Sequence, residues 1–206
     1  SSNSLARKSH RAESAKVELR WCAVAATSIP IHRPAVGEPE LEAVSRVLAS
    51  RWLGMGEVAL AFERRLGELV GARHAVACAS GSAALHLALH VLGLRPGDEV
   101  LLPSLTYVAG PQAVLAVGAR PVFCDVDRDT GCLDPEDVAR RLSPRARAIM
   151  PMHYAGFPCA MDELLALARG HGLAVVEDAA HALGSSYQER PIGSIGDLTC
   201  FSFDAV

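Results

Sequence analysis

"AMDELLALARGHGLAVVEDAA" (residues 160–180) decides the fold. Residues 160–172 place apolar side chains at helical spacing and end in glycine, so they predict a helix. Residues 173–180, "LAVVEDAA", follow as a short apolar strand that turns acidic at Glu177 and Asp178. A helix running straight into an apolar strand is the repeating unit of a parallel sheet covered on both faces.

The same rhythm extends upstream. "HAVACAS" (74–80) predicts a strand, and "SAALHLALHVLG" (82–93) a helix that stops at Gly93. "DEVLLP" (98–103) is a strand, and "YVAGPQAVLAVG" (107–118) is mostly helical with an interruption at Pro111. "RPVFCDV" (120–126) is a strand, "DPEDVARRL" (134–142) a helix capped by Asp134, and "RAIMPMH" (147–153) a strand. Downstream, "GSSYQERPIGSIGDLTCFSF" (184–203) reads as a turn-rich return into one more strand. In "CFSFDAV" (200–206) the alternation of Phe201, Ser202 and Phe203 continues that strand with one buried face. Two helices precede the rhythm. One begins around Pro39, and the other, "EVALAFERRLGELVG" (57–71), stops at Gly71. The expected class is α/β with a mostly parallel sheet between helices.

Residues 1–28 are polar and mixed in charge, and read as an N-terminal extension, flexible or in part introduced by cloning. Residues 29–206 form the folded body. The chain has 206 residues, half of them hydrophobic, and a formal net charge of -3, which opposes a general nucleic-acid footprint. No apolar run reaches membrane-spanning length. The six cysteines form no CxxC pair and read as reduced core thiols of a cytoplasmic protein, not zinc ligands or disulfides. The only lysines are Lys8 and Lys16, so the folded body carries no amine for a Schiff base.

In such sheets ligands bind beyond the carboxyl ends of the strands. Ser80, Gly81 and Ser82 lie where the first strand gives way to helix, and suit a phosphate. An ordinary Ser-capped helix start has the same sequence. The stretch is neither GxGxxG nor a Walker A loop, so classical dinucleotide and nucleoside-triphosphate sites lose support. Tyr107 follows the next strand and can lie flat on a planar ring, or be a half-buried core tyrosine. Asp178 ends a buried strand, where a carboxylate needs a cation; its other reading is a cap for the next turn. A metal there finds only His181 and His153 nearby, so no metal is expected. Phosphate cradle, aromatic lid and buried carboxylate together describe a seat for pyridoxal 5′-phosphate (PLP), with its ring nitrogen on Asp178.

At this point the ordered series "RPAVGEPELEAV", "ASGSAALHLAL", "GDEVLLPSLTYVA", "GARPVFCDVD", "IMPMHYAG", "VEDAAHALG" and "IGDLTCFSF" resembles the DegT/DnrJ/EryC1/StrS family of PLP-dependent nucleotide-sugar aminotransferases. The resemblance covers roughly residues 29–206 and implies the large domain of aminotransferase fold type I, with a C-terminal small domain outside this sequence. "MHYAG" with "EDAAH" is most similar to the branch that forms UDP-4-amino-4-deoxyarabinose, although that branch carries tryptophan where Tyr107 stands.

The resemblance implies that Ser202 binds the cofactor phosphate and that the Schiff-base lysine occupies the position after Val206. It also implies that His181 contacts the cofactor ring or its 3′-oxygen. Asp178 and His181 are thus the candidate catalytic residues, and Gly81, Ser82, Tyr107, Asp178, His181 and Ser202 the cofactor-binding set. The implied partners are a nucleotide-diphosphate ketosugar, an amino donor such as glutamate, and a second copy of the chain. Two alternatives share the fold: a PLP-dependent ketosugar dehydratase, with histidine in place of the lysine, and an inert binding protein.

Overall fold

The computed structural model describes residues 34–204, so the N-terminal extension lies outside the described residues. Two helices come first: α1 (Glu38–Ser50) and α2 (Glu57–Val70). Pro39 sits in the first turn of α1, and the Glu40 carboxylate accepts the Gly37 N–H at 2.7 Å. Gly71 closes α2 in the left-handed region, φ +70°.

The body is a five-stranded parallel sheet in the order β2–β1–β3–β4–β7. Its strands are β1 (Glu99–Pro103), β2 (Arg120–Cys124), β3 (Ala146–Ile149), β4 (Ala174–Asp178) and β7 (Leu198–Cys200). A small hairpin, β5 (Ser186–Tyr187) and β6 (Arg190–Pro191), lies between β4 and β7. Two helices, α3 (Gly81–Val91) and α4 (Ala109–Ala116), cover one face. Leu85, Leu89, Ala113 and Val114 pack there on Val100, Leu102 and Val176. Two more, α5 (Pro135–Arg141) and α6 (Met161–His171), cover the other, where Val138, Met161 and Leu164 pack on Leu101, Ile149 and Val175. Successive residues of β1 and β4 therefore enter opposite cores, which is why both strands read as unbroken apolar runs.

The connections fix where the site must be. The chain leaves β1 over the α4 face and leaves β3 over the α6 face, although β1 and β3 are neighbours. The connections that leave their carboxyl ends therefore diverge, which makes this edge of the sheet the place for a ligand in an open α/β fold.

Three sequence expectations are corrected. Residues 74–80 join no ladder among the described residues: Val76 is 71% exposed, and the Ala77 N–H goes to the Glu63 carboxylate at 2.8 Å. Apolar alternation favours a strand, but a strand also needs a neighbour to bond to. The last strand stops at Cys200, and Phe203 is exposed with its ring edge-on to Phe62 at 5.1 Å. Pro111 does not interrupt a helix. The helix begins later, at Ala109, so Pro111 falls in the first turn, where no N–H is needed.

Candidate cofactor site

Asp178 is the last residue of β4, 4% exposed, and lies opposite Cys200 of β7. Its Oδ1 accepts the Ala180 N–H at 3.2 Å, so it does cap the following turn. Among the described residues no ion pair reaches it. Burial pushes its carboxyl above the ordinary range, and the Ala180 N–H with the nearby His181 and His153 partly offsets this. A buried carboxylate with no cation beside it is an invitation to one.

Gly81 opens α3, and Ser80 caps that helix by accepting the Ala83 N–H at 3.1 Å. The helix start is thus Ser-capped, with Ser80 as the cap and Ser82 exposed in the first turn. A Cβ added to Gly81 would meet the Ser202 Cβ at 3.0 Å and its Oγ at 3.3 Å. The start of α3 and Ser202, two residues beyond β7, are therefore in close contact. The small residue serves this close approach of Ser202.

Tyr107 follows β1 and is 69% exposed, which excludes a core tyrosine. His181 follows β4 in an exposed turn. Its Nδ1 accepts the Ala155 N–H at 3.3 Å, which leaves Nε2–H as the outward donor. Ala155 holds φ +51°, and its ring neighbour Tyr154 stands edge-on to His181 at 6.3 Å. All six predicted residues lie at the carboxyl edge of the sheet or at the start of α3. Asp178, Ser202 and Gly81 are tied by register and contact; Tyr107 is placed there by the end of β1.

Sequence reading missed one unit. His153, considered only as a metal ligand, is fully buried with its Nε2 2.9 Å from the Glu177 Oε2. Among the described residues no group of three or more His, Cys, Asp or Glu could hold a metal. The residues present fit PLP: a buried carboxylate without an ion-pair partner among the described residues, and a helix start at Gly81 approached closely by Ser202.

The model of the DegT/DnrJ/EryC1/StrS aminotransferase family matches residues 34–206. The chain belongs to this family. As a DegT/DnrJ/EryC1/StrS member it is 45% identical over 177 residues to the spore coat polysaccharide biosynthesis protein SpsC of Bacillus subtilis (strain 168), covering 86% of this chain and 46% of SpsC. The PLP form of Spr1654 from Streptococcus pneumoniae superposes with a TM-score of 0.82 at 35% identity, covering 86% of this chain and 49% of that one. DesI, solved in the presence of its TDP-sugar product, gives 0.72 at 43%, covering 80% and 42%. The chain thus spans about half the length of the relatives it matches. The family is PLP-dependent, which agrees with the seat described.

Proposed function

We propose that the protein is a PLP-dependent aminotransferase that transfers an amino group, with glutamate as donor, to a nucleotide-diphosphate ketosugar at C4. The observation that carries the reading is Asp178, buried at the end of β4 without a cationic partner, in a chain of this family. When bound, PLP supplies an electron sink that makes a proton on the amine-bearing carbon removable.

The chain's own residues prepare that seat. Asp178 holds a positive ring nitrogen by charge and hydrogen bond. Gly81, Ser82 and Ser202 receive the phosphate through N–H and hydroxyl donors. Tyr107 covers one ring face and limits its tilt. His181, whose Nδ1 is taken by the Ala155 N–H, would offer Nε2–H to the ring oxygen. The Schiff-base lysine is assigned to the position after Val206, and a small domain to the sequence beyond it. Support for a nucleotide sugar is the likeness to DesI with its TDP-sugar product. C4 rests on the "MHYAG" and "EDAAH" series. We further propose a homodimer, and a cytoplasmic location in which the free cysteines stay reduced. Among the described residues no helix is long and apolar enough to cross a membrane.

The test incubates full-length enzyme with PLP, glutamate and matched 3-keto and 4-keto nucleotide sugars, and locates the new amine by NMR. An amine at C4 is expected. Amination only at C3 overturns the position, and loss of water without amination assigns the dehydratase.

A further inference from the structure

The carboxyl edge of the sheet holds three buried polar side chains: His153 and Glu177, both 0% exposed, and Asp178. Glu177 and Asp178 are consecutive on β4, so their side chains leave on opposite faces. Asp178 faces the cofactor seat. Glu177 faces the other way and is held by three donors. Its Oε2 meets His153 Nε2 at 2.9 Å. Its Oε1 accepts the Gly196 N–H and the Thr199 hydroxyl, both at 2.7 Å. A Cβ on Gly196 would meet that Oε1 at 2.9 Å, so only glycine leaves room for the bond. Burial pushes the Glu177 carboxyl up, but these donors outweigh it and hold the group below its ordinary range.

The His153 ring is held from its other side. Its Nδ1 accepts the Cys159 N–H at 3.1 Å, so Nε2 carries the proton donated to Glu177. The backbone then closes the unit. Asp178 N–H donates to Pro151 C=O at 2.8 Å, and Asp178 C=O accepts the His153 N–H at 3.0 Å. Cys200 C=O accepts the Ala179 N–H at 2.9 Å, and Thr199 lies opposite Glu177 in the ladder. The two residues that would hold the cofactor at its nitrogen and at its phosphate, Asp178 and Ser202, are therefore joined through Glu177, Thr199 and the segment carrying His153.

We propose that the buried His153–Glu177 pair is a positioning element of the cofactor seat, fixing the end of β4 against β3 and β7 so that Asp178 and Ser202 stay in register. The inference rests on the PLP aminotransferase reading. A buried ion with three partners is weak evidence for stability, because apolar packing of the same volume serves as well. Its value here is geometric, since small misplacements of reacting groups are costly to rate.

The experiment uses full-length holoenzyme and separates the two bonds of the ring. In His153→Gln the amide nitrogen overlays Nε2 and keeps the bond to Glu177. In His153→Asn the side chain reaches only the Cys159 N–H. The readouts are the absorption band of the bound cofactor, cofactor Kd, kcat and KM for the amino donor, and Tm. We expect His153→Gln to stay within about threefold of wild type in kcat with an unchanged band. His153→Asn and Glu177→Gln should lose on the order of tenfold to a hundredfold in kcat, with weaker cofactor binding, an altered band and little change in KM. If His153→Asn yields no soluble holoenzyme, Thr199→Val decides: the same signature, smaller, supports the proposal. Lowered Tm with normal band and kcat, in either decisive variant, overturns it, as does equal loss in His153→Gln and His153→Asn. Asp178→Asn is the control. Full activity there overturns the cofactor reading itself, whereas loss there with normal His153→Asn overturns only the positioning role.

Discussion

A methyl group at Gly81 would be tight: the Ser202 Cβ, its Oγ and the Phe201 carbonyl stand at 3.0, 3.3 and 3.4 Å from where it would sit. Gly81→Ala is expected to shift Ser202 against the helix start by a few tenths of an ångström, and overpacking costs about 1–3 kcal/mol. The displaced seat is the proposed phosphate site. Cofactor Kd measured by absorbance titration is therefore expected to weaken by about tenfold, which corresponds to about 1.4 kcal/mol. Unchanged Kd with a lower Tm would separate this contact from the cofactor. A second residue governs acid stability. Asp137, at the first turn of α5, accepts the Asp125 N–H and bonds Arg141 and Arg140, and its carboxyl is lowered from 3.8 to about 2. A depressed carboxylate stabilises the fold fully above its unfolded value, and that contribution is lost as pH falls through the folded value. Asp137→Asn should therefore lower Tm at pH 7 and flatten the fall in Tm between about pH 4 and pH 2. Parallel acid limbs for variant and wild type would refute the linkage.

The β5–β6 hairpin shows how an element can be strained by its own sequence. Gln188 and Glu189, the two turn residues, hold φ +48° and +67°. Positive φ at both central positions is the pattern of a type I′ turn, which favours Asn-Gly because side-chain-bearing residues cost about 1–2 kcal/mol there. Glu189→Gly should relieve that strain, and a net gain of about 0.5–1 kcal/mol, read as a rise in Tm, is expected after the added chain entropy. A fall in Tm would mean that Glu189 makes a compensating contact. The strand predicted at 74–80 is the opposite case. Its pattern suits a sheet, yet it bonds to Glu63 of α2 because no described strand lies beside it. Local preference proposes an extended segment, and only a neighbouring backbone makes it a strand.

At the scale of the whole molecule, the helices divide into two kinds. The sheet-covering helices bury their apolar stripes, whereas α1 leaves Leu41, Val44 and Leu48 more than half exposed and contributes no buried residue. Apolar faces of this kind mark surfaces meant for further protein. Sedimentation of the full-length holoenzyme is expected to give a homodimer. Hydrogen exchange of α1 in that assembly should be slower than its exposure here implies. A fully active monomer would contradict the assembly, and unprotected α1 amides would contradict the covering of its face.

Much of this protein was legible in the residues themselves. The runs of β1 and β4 announce strands buried on both faces, Asp134 and Gly71 announce the ends of helices, and acidic Asp178 soon after two valines announces the end of a buried strand. These are local signals, set by side-chain period and by backbone preference within a few residues. The contacts that join the site are different in kind. His153 meets Glu177 across 24 residues, Thr199 meets Glu177 across 22, and Gly81 meets Ser202 through the packing of α3 beside β7. No period links such positions, because their separation is set by the lengths of the intervening helix, hairpin and loops. A buried histidine and glutamate look the same in a sequence whether they bind a metal, bind each other or face solvent. Only the order of the strands, β2–β1–β3–β4–β7, brings their ends to one edge and decides between those fates.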